Sequence, residues 1–83
     1  MRAAGTHREN LTKQFIYFAS KVSSFFPDLD LRFNLQGNSN KIRYSIPDIS
    51  SEVFELTLGV NKVEELVHEA AFAIKEATGR FDA

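Results

Sequence analysis

The sequence predicts an α+β fold: a two-layer sandwich in the order α-β-β-β-α, in which both helices cover one face of a three-stranded antiparallel meander. Three observations predict it. Residues 29–46 alternate apolar and polar side chains on both sides of a turn-forming segment at 37–40, a pattern typical of a hairpin with one apolar face. A third alternating run follows at 53–60. Segments with helical periodicity flank the strands, and only these can cover the apolar face.

The first helix is expected to begin at Thr6, which has the capping-box spacing with Glu9, and to end before Pro27. Its apolar residues recur at steps of three and four and define one buried side: Leu11, Phe15, Phe18, Ala19, Val22, Phe25 and Phe26. Ile16 and Tyr17 fall outside this side. They indicate a second, shallower contact or, alternatively, packing beneath a neighbouring loop or tail.

The apolar positions of the strands predict the register of the sheet. The first two strands are expected to form three apolar pairs on one face: Leu35 with Ile42, Phe33 with Tyr44, and Leu31 with Ile46. Pro47 ends the second strand because it has no amide hydrogen to donate to the ladder. The third strand continues the same face with Phe54, Leu56, Leu58 and Val60. The simplest connection places the second strand in the centre.

The second helix is expected to be capped by Asn61, with Glu64 at the reciprocal position, and to end at Gly79. Helical spacing predicts its buried side: Val63, Leu66, Val67, Ala70, Ile74 and Ala77. The opposite side is mostly charged and has Phe72 at its middle: Glu64, Glu65, His68, Glu69, Lys75 and Glu76.

Length and composition limit what the protein can do. We expect a single α+β domain at residues 6–79, a flexible N-terminus at 1–5 and a C-terminal tail at 80–83. A chain of 83 residues leaves little room for a deep pocket. The formal charge of −1 predicts no long-range attraction to nucleic acid or to an anionic membrane. Without cysteine or a long apolar run, the chain is expected in the cytoplasm.

Neither histidine predicts a catalytic or metal-binding site. His68 has Glu64 and Glu65 at helical distance, but no serine, cysteine or second histidine is expected beside it. His7 lies near the start of the first helix, and two histidines alone do not define a zinc site. We therefore expect no enzymatic activity, no cofactor and no metal ion.

The outer side of the second helix is the first candidate binding surface. Phe72 lies among Glu65, His68 and Glu69, and an apolar anchor with a charged rim is typical of protein interfaces. The alternative is that Phe81 folds back and covers Phe72. On the first helix, Tyr17 is a further candidate contact with a partner.

The polar face of the sheet is the second candidate. The predicted register brings Arg32, Lys41 and Arg43 together with amide and hydroxyl side chains, which could hold phosphates or an acidic protein surface. Asp30 and Glu55 share this face. The alternative is therefore salt pairing between neighbouring strands.

Residues 41–75 resemble the N-terminal domain of HicB-type antitoxins. The matching residues are a strand that ends in Pro-Asp and an apolar residue, then a glycine and a helix rich in Glu and Ala: Tyr44, Ile46, Pro47, Asp48, Ile49, Gly59, Val63, Glu64, Glu65, Ala70, Ala73 and Ile74. The resemblance implies a domain that neutralises an RNA-cleaving partner by binding it. The spacing from Pro47 to Gly59 is longer than in the family, a helix precedes the first strand, and no DNA-binding module is expected after Gly79.

The element order is also that of the double-stranded-RNA-binding domain. That domain holds RNA with lysines at the start of its last helix, where this sequence has Glu64 and Glu65 beside a single lysine. We therefore expect a small non-catalytic module that binds and inhibits another protein, for example a toxin or a nuclease complex. It would be antitoxin-like, or an inhibitor of phage or plasmid type. A nucleic-acid-binding domain that uses the cationic sheet face is the alternative, and the sheet edges allow a homodimer.

Overall fold

The computed structural model describes residues 3–36, 39–59 and 61–80, with the backbone alone for residues 3–8. It confirms the α+β fold. The elements follow in the expected order: α1 at Ala3–Phe25, β1 at Arg32–Leu35, β2 at Lys41–Ser45, β3 at Val53–Thr57 and α2 at Val63–Thr78. Within the described residues, neither helix combines the length and the apolar character needed to cross a bilayer.

The sheet has the strand order β1-β2-β3, and both pairings are antiparallel. The predicted register is confirmed where Phe33 pairs with Tyr44 and Leu35 with Ile42. The ladder ends at the pair of Arg32 and Ser45, so the third expected pair, Leu31 with Ile46, lies beyond it. Along β2 the exposed and buried positions alternate, as the sequence pattern predicts.

A single core joins the two helices to the apolar face of the sheet. Phe18 of α1 lies at its centre, with its ring edge-on to that of Phe33 at 5.8 Å and 6.2 Å from that of Tyr44. The buried apolar residues come from α1, the sheet, the loops and α2: Leu11, Phe18, Val22, Phe26, Ile42, Tyr44, Ile46, Leu58, Leu66, Val67, Ala70 and Ile74. The core therefore contains most of the predicted inward positions.

Both helices begin at a residue other than the expected one. α1 begins at Ala3, so Thr6 is not its cap, and residues 3–5 of the expected flexible N-terminus are helical. α2 begins at Val63 with Lys62 as its N-cap, so the expected cap at Asn61 is wrong. Asn61 instead forms an isolated bridge with Leu58, which keeps its backbone out of the capping position. The end of α2 at Gly79 is confirmed.

Two residues expected in the core are exposed. Phe25 is 48% exposed, because the chain turns after it and Phe26 fills the neighbouring core position. Ala77 is exposed in the last turn of α2, where a helix end has fewer neighbours than its middle. Ile16 and Tyr17, which were expected off the buried side, are exposed.

Some expectations concern residues outside the described part of the chain. They are the turn at Gly37 and Asn38, the inward position of Val60, the cover of Phe72 by Phe81, and the side chain of His7. They stay predictions.

The two helices run side by side in roughly the same direction. The Tyr17 hydroxyl of α1 donates a hydrogen bond to the Glu64 carboxylate in the first turn of α2. At the other end, the Arg80 guanidinium after α2 donates to the Asp28 carboxylate after α1, over 3.1 Å. The C-terminal ends of both helices therefore lie at the same end of the molecule.

Candidate protein-binding surfaces

Phe72 lies on the outer side of α2, opposite the residues that this helix buries. The residue is 55% exposed, whereas Ala70 and Ile74, two positions before and after it, are fully buried. Because successive helical residues are 100° apart, this alternation places Phe72 about 180° from the middle of the buried stripe. The sequence predicted this position correctly.

Charged residues surround Phe72 on the same helix. Glu65, His68, Glu69, Lys75 and Glu76 are all exposed, at spacings of three, four and seven residues from Phe72. Residues at these spacings share one side of a helix. We call this group, with Phe72 at its centre, the acidic helix surface. It brings together four of the predicted contact residues: Phe72, His68, Glu69 and Glu65.

Tyr17 borders the acidic helix surface from α1. Its hydrogen bond to the Glu64 carboxylate, followed by its partial burial, raises the pKa of the phenol. The ammonium of Lys21 lies 5.9 Å from the centre of the same ring. Because His68 follows Glu64 by one helical turn, Tyr17 extends the surface across the junction between the helices. The shallower contact expected for Tyr17 is thus with α2.

The three predicted cations, Arg32, Lys41 and Arg43, are exposed on the open face of the sheet, away from both helices. Lys41 and Arg43 both contact the Glu55 carboxylate of β3, over 4.0 Å and 3.1 Å. Arg32 contacts Asp30 over 3.1 Å, and this hydrogen-bonded carboxylate raises the pKa of the guanidinium. The alternative of salt pairing between neighbouring strands is confirmed for Lys41 and Arg43 with Glu55, whereas Arg32 pairs with Asp30 two residues before it on the same segment.

The acidic helix surface and the cationic face therefore lie on opposite sides of the molecule. One partner surface of ordinary size cannot cover both at once without wrapping around the edge of the sandwich. A shallow depression of ≈ 140 Å³ lies on the cationic side, between Arg32, Arg43 and Val53. Val53 is 60% exposed there, as its place in the alternation of β3 predicts.

Sequence reasoning missed a groove along the outer edge of β3. The groove has a volume of ≈ 370 Å³ and lies between this strand and α2. Its lining combines two apolar side chains with two carboxylates and two neutral polar residues: Leu56, Leu66, Glu55, Glu69, Thr57 and Asn61. The alternation in β3 and the periodicity of α2 assign each residue to a face, but they do not determine how far apart the two elements lie.

The described residues contain no group of three or more histidine, cysteine, aspartate or glutamate side chains that could hold a metal ion. His68 and the carboxylates near it are spread along the exposed side of α2, and Glu69 also lines the groove beside β3. The acidic helix surface presents carboxylates, one lysine ammonium, one imidazole and one aromatic ring on the outer side of α2.

Comparison of the chain with models of protein families, with curated proteins and with solved structures found no match.

Proposed function

We propose that the protein is a non-catalytic module that binds another protein through the acidic helix surface and inhibits it. The observation that carries this proposal is the exposure of Phe72, a residue that is 55% exposed in the middle of a well-packed helix. Burying a phenylalanine side chain contributes about 1.5–3 kcal/mol, so a partner that covers this ring gains from doing so. Large aromatic residues of this kind act as anchors in interfaces.

The charges around Phe72 indicate the chemistry of the partner. Glu65, Glu69 and Glu76 favour a surface with lysine or arginine around an apolar pocket, because complementary charges speed association and fix orientation. Proteins that bind nucleic acid carry such cationic surfaces, since each substrate phosphate is negative. An acidic helix that covers a cationic substrate site would block it. This supports an inhibitor of a nucleic-acid-processing enzyme.

The antitoxin-like role draws further on the likeness to HicB-type antitoxins. The similar stretch, residues 41–75, comprises β2, the turn at Pro47, β3 and most of α2. It therefore includes Phe72 and most of the carboxylates around it. On this basis we propose that the partner is a toxin or a nuclease complex, and that the bound form of the partner is the inhibited form.

The substitution Phe72→Ala tests the proposal. We expect it to weaken partner binding by about 1–3 kcal/mol, because it removes the apolar anchor. The melting temperature should stay nearly unchanged, because the ring is largely outside the core. The measurement is capture from a lysate of the source cell on the immobilised protein, followed by titration of the captured partner with both forms.

Ile49→Ala is the matched control, since Ile49 is 48% exposed and lies in the turn after β2. This change should leave partner binding unaltered. If Phe72→Ala binds the partner as tightly as the unmodified chain, the acidic helix surface is not the interface. If it instead unfolds the protein, Phe72 belongs to the core.

Binding of nucleic acid to the cationic face is the second candidate. One observation favours it: Lys41 and Arg43 share the single carboxylate of Glu55, which leaves one positive charge unbalanced. Titration with double-stranded RNA at two salt concentrations distinguishes the candidates. Phosphate contacts would give an affinity that falls steeply with salt, and an absence of binding at low salt would exclude this function.

A further inference from the structure

Within the described residues, no strand lies beside the outer edge of β3, so its outward backbone groups can pair with an added strand. The Leu58 amide donates a hydrogen bond to the Asn40 carbonyl over 2.7 Å. Asn40 and Leu58 therefore form a hydrogen-bonded pair, and the adjacent pair of Lys41 and Thr57 is not hydrogen-bonded. Hydrogen-bonded and non-hydrogen-bonded pairs alternate along an antiparallel ladder. Residues 54 and 56 therefore bond to β2, and the backbone groups of Val53, Glu55 and Thr57 point away from it. The described sheet ends at this strand.

The groove of ≈ 370 Å³ runs along the same edge. On the helix side it presents Leu56 and Leu66, with the Glu69 carboxylate at its rim. On the open face, Val53 and Glu55 stand beside the edge. An added strand alternates its side chains between these two sides. Apolar side chains would then fit the groove, and cationic ones would fit beside Glu55.

We propose that the β3 edge binds an extended segment of the partner protein as a fourth strand, in which apolar side chains facing α2 alternate with lysine or arginine on the open face. This inference rests on the proposed function, because it adds a second contact between the same partner and this chain, next to the acidic helix surface. Glu69 borders both the groove and that surface, so one partner can contact both. Main-chain hydrogen bonds supply affinity in this mode, and the alternating side chains supply selectivity.

Charge argues for a cationic segment and against a second copy of this chain at this edge. Two antiparallel β3 strands that pair through Val53, Glu55 and Thr57 would place Val53 of each copy opposite Thr57 of the other, with Glu55 at the centre. This pairing would place the two Glu55 carboxylates directly opposite each other, which is destabilising. A lysine in that position would instead extend the row of alternating charge that Arg43 and Glu55 begin. The pairs that Glu55 makes with Arg43 and Lys41 are both exposed and therefore weak, so its carboxylate can still accept a further cation from the free side of β3.

The probe for this proposal is a short blocked peptide of alternating valine and lysine. Two matched peptides serve as controls: one has glutamate in place of lysine, and the other carries N-methyl groups on alternate amides. Amide chemical shifts of the full chain are recorded during titration with each peptide. We expect the lysine peptide to shift the amides of Val53, Glu55 and Thr57. Both control peptides should bind at least about fivefold more weakly, the first because it reverses the charge opposite Glu55.

Two substitutions at one position make the test specific. Glu55→Lys should reverse the preference, so that the glutamate peptide binds more tightly than the lysine peptide. Glu55→Gln removes the charge without placing a third cation beside Lys41 and Arg43, and should lower affinity for the lysine peptide up to about fivefold. Phe72→Ala should bind the lysine peptide as the unmodified chain does. Loss of partner binding in that variant, with peptide binding intact, separates the two proposals.

Three results would overturn the inference. Peptide-induced shifts that avoid β3 would place the binding elsewhere. Equal binding of the lysine and glutamate peptides would remove the charge argument. Shifts of the β3 amides on dilution of the free protein, together with a dimer in sedimentation, would show that a second copy already occupies this edge.

Discussion

At the scale of single residues, Tyr44 is a tyrosine buried between two other aromatic rings of the sheet. Its ring stacks on that of Phe54 at 5.0 Å and lies 5.9 Å from that of Phe33, so three strands contribute to one row of aromatic rings. Only 3% of the residue is exposed. Burial, with smaller effects from the carboxylates of Glu69 and Glu52, raises the pKa of Tyr44 to about 12.

This pKa predicts a loss of stability at alkaline pH. Above the ordinary phenol pKa of 10.0, the unfolded chain releases a proton that Tyr44 retains in the folded protein. The stabilising contribution is therefore complete below pH 10 and is lost as the pH rises through about 12. Urea denaturation at several alkaline pH values should show the decline. Tyr44→Phe should make the decline shallower, and an equal slope in both proteins would contradict the prediction.

At the scale of elements, α2 depends on its packing and on its C-terminal cap more than on its N-cap. Gly79 adopts a left-handed conformation with φ of 69°, and its amide and that of Arg80 bond to the carbonyls of Glu76 and Lys75. At the other end, the side chain of Lys62 makes no capping hydrogen bond. A cation there also faces the positive end of the helix dipole.

Lys62→Ser is therefore expected to stabilise the protein by about 0.5–1 kcal/mol, because serine can accept a hydrogen bond from the first turn. The free energy of unfolding, measured by urea denaturation, tests this. Asn61→Ala is the control and should change the free energy by less than about 0.5 kcal/mol. A larger loss in the control, with no gain for Lys62→Ser, would mean that the helix is capped at Asn61 after all.

The helices and strands can be predicted from the sequence, but the residues at which they end and the distances between them cannot be predicted as well. Alternation fixed which side chains of β2 face inward, since a shift of one residue would turn Ile42 and Tyr44 to solvent. The cap of α2 lay one residue beyond its expected place, because capping depends on backbone angles that side-chain type only biases. The ion pair of Asp28 with Arg80 joins positions 52 residues apart and has no local pattern.

The candidate surfaces were predictable to the same degree. Helical spacing placed Phe72 and His68 outside, and strand alternation placed Arg43 and Glu55 on the same face of the sheet. The groove beside β3 was not predictable, because its width depends on the distance at which Leu66 packs over the sheet.

At the scale of the whole molecule, one core holds both layers together. Phe18 is fully buried and is the residue through which α1 meets the rings of the sheet. A domain of this kind has a total stability of about 5–15 kcal/mol, so the loss of one central ring is a large fraction of it.

Phe18→Ala should reduce the free energy of unfolding by about 3–5 kcal/mol, through lost burial and the cavity left behind. Ile16→Ala, two residues away and largely exposed, should change it by less than about 0.5 kcal/mol. Urea denaturation of both variants gives the comparison. Equal losses would mean that α1 packs on the sheet in a different rotation.

The positions of the two tyrosines give the protein a pair of natural optical reporters. The chain has no tryptophan, so all of its tyrosine emission comes from Tyr17 and Tyr44. The first stands where the helices meet, and the second lies inside the aromatic row of the sheet. Replacing either one by phenylalanine leaves a single fluorophore, so separation of the helices and opening of the core can be followed independently without an added dye.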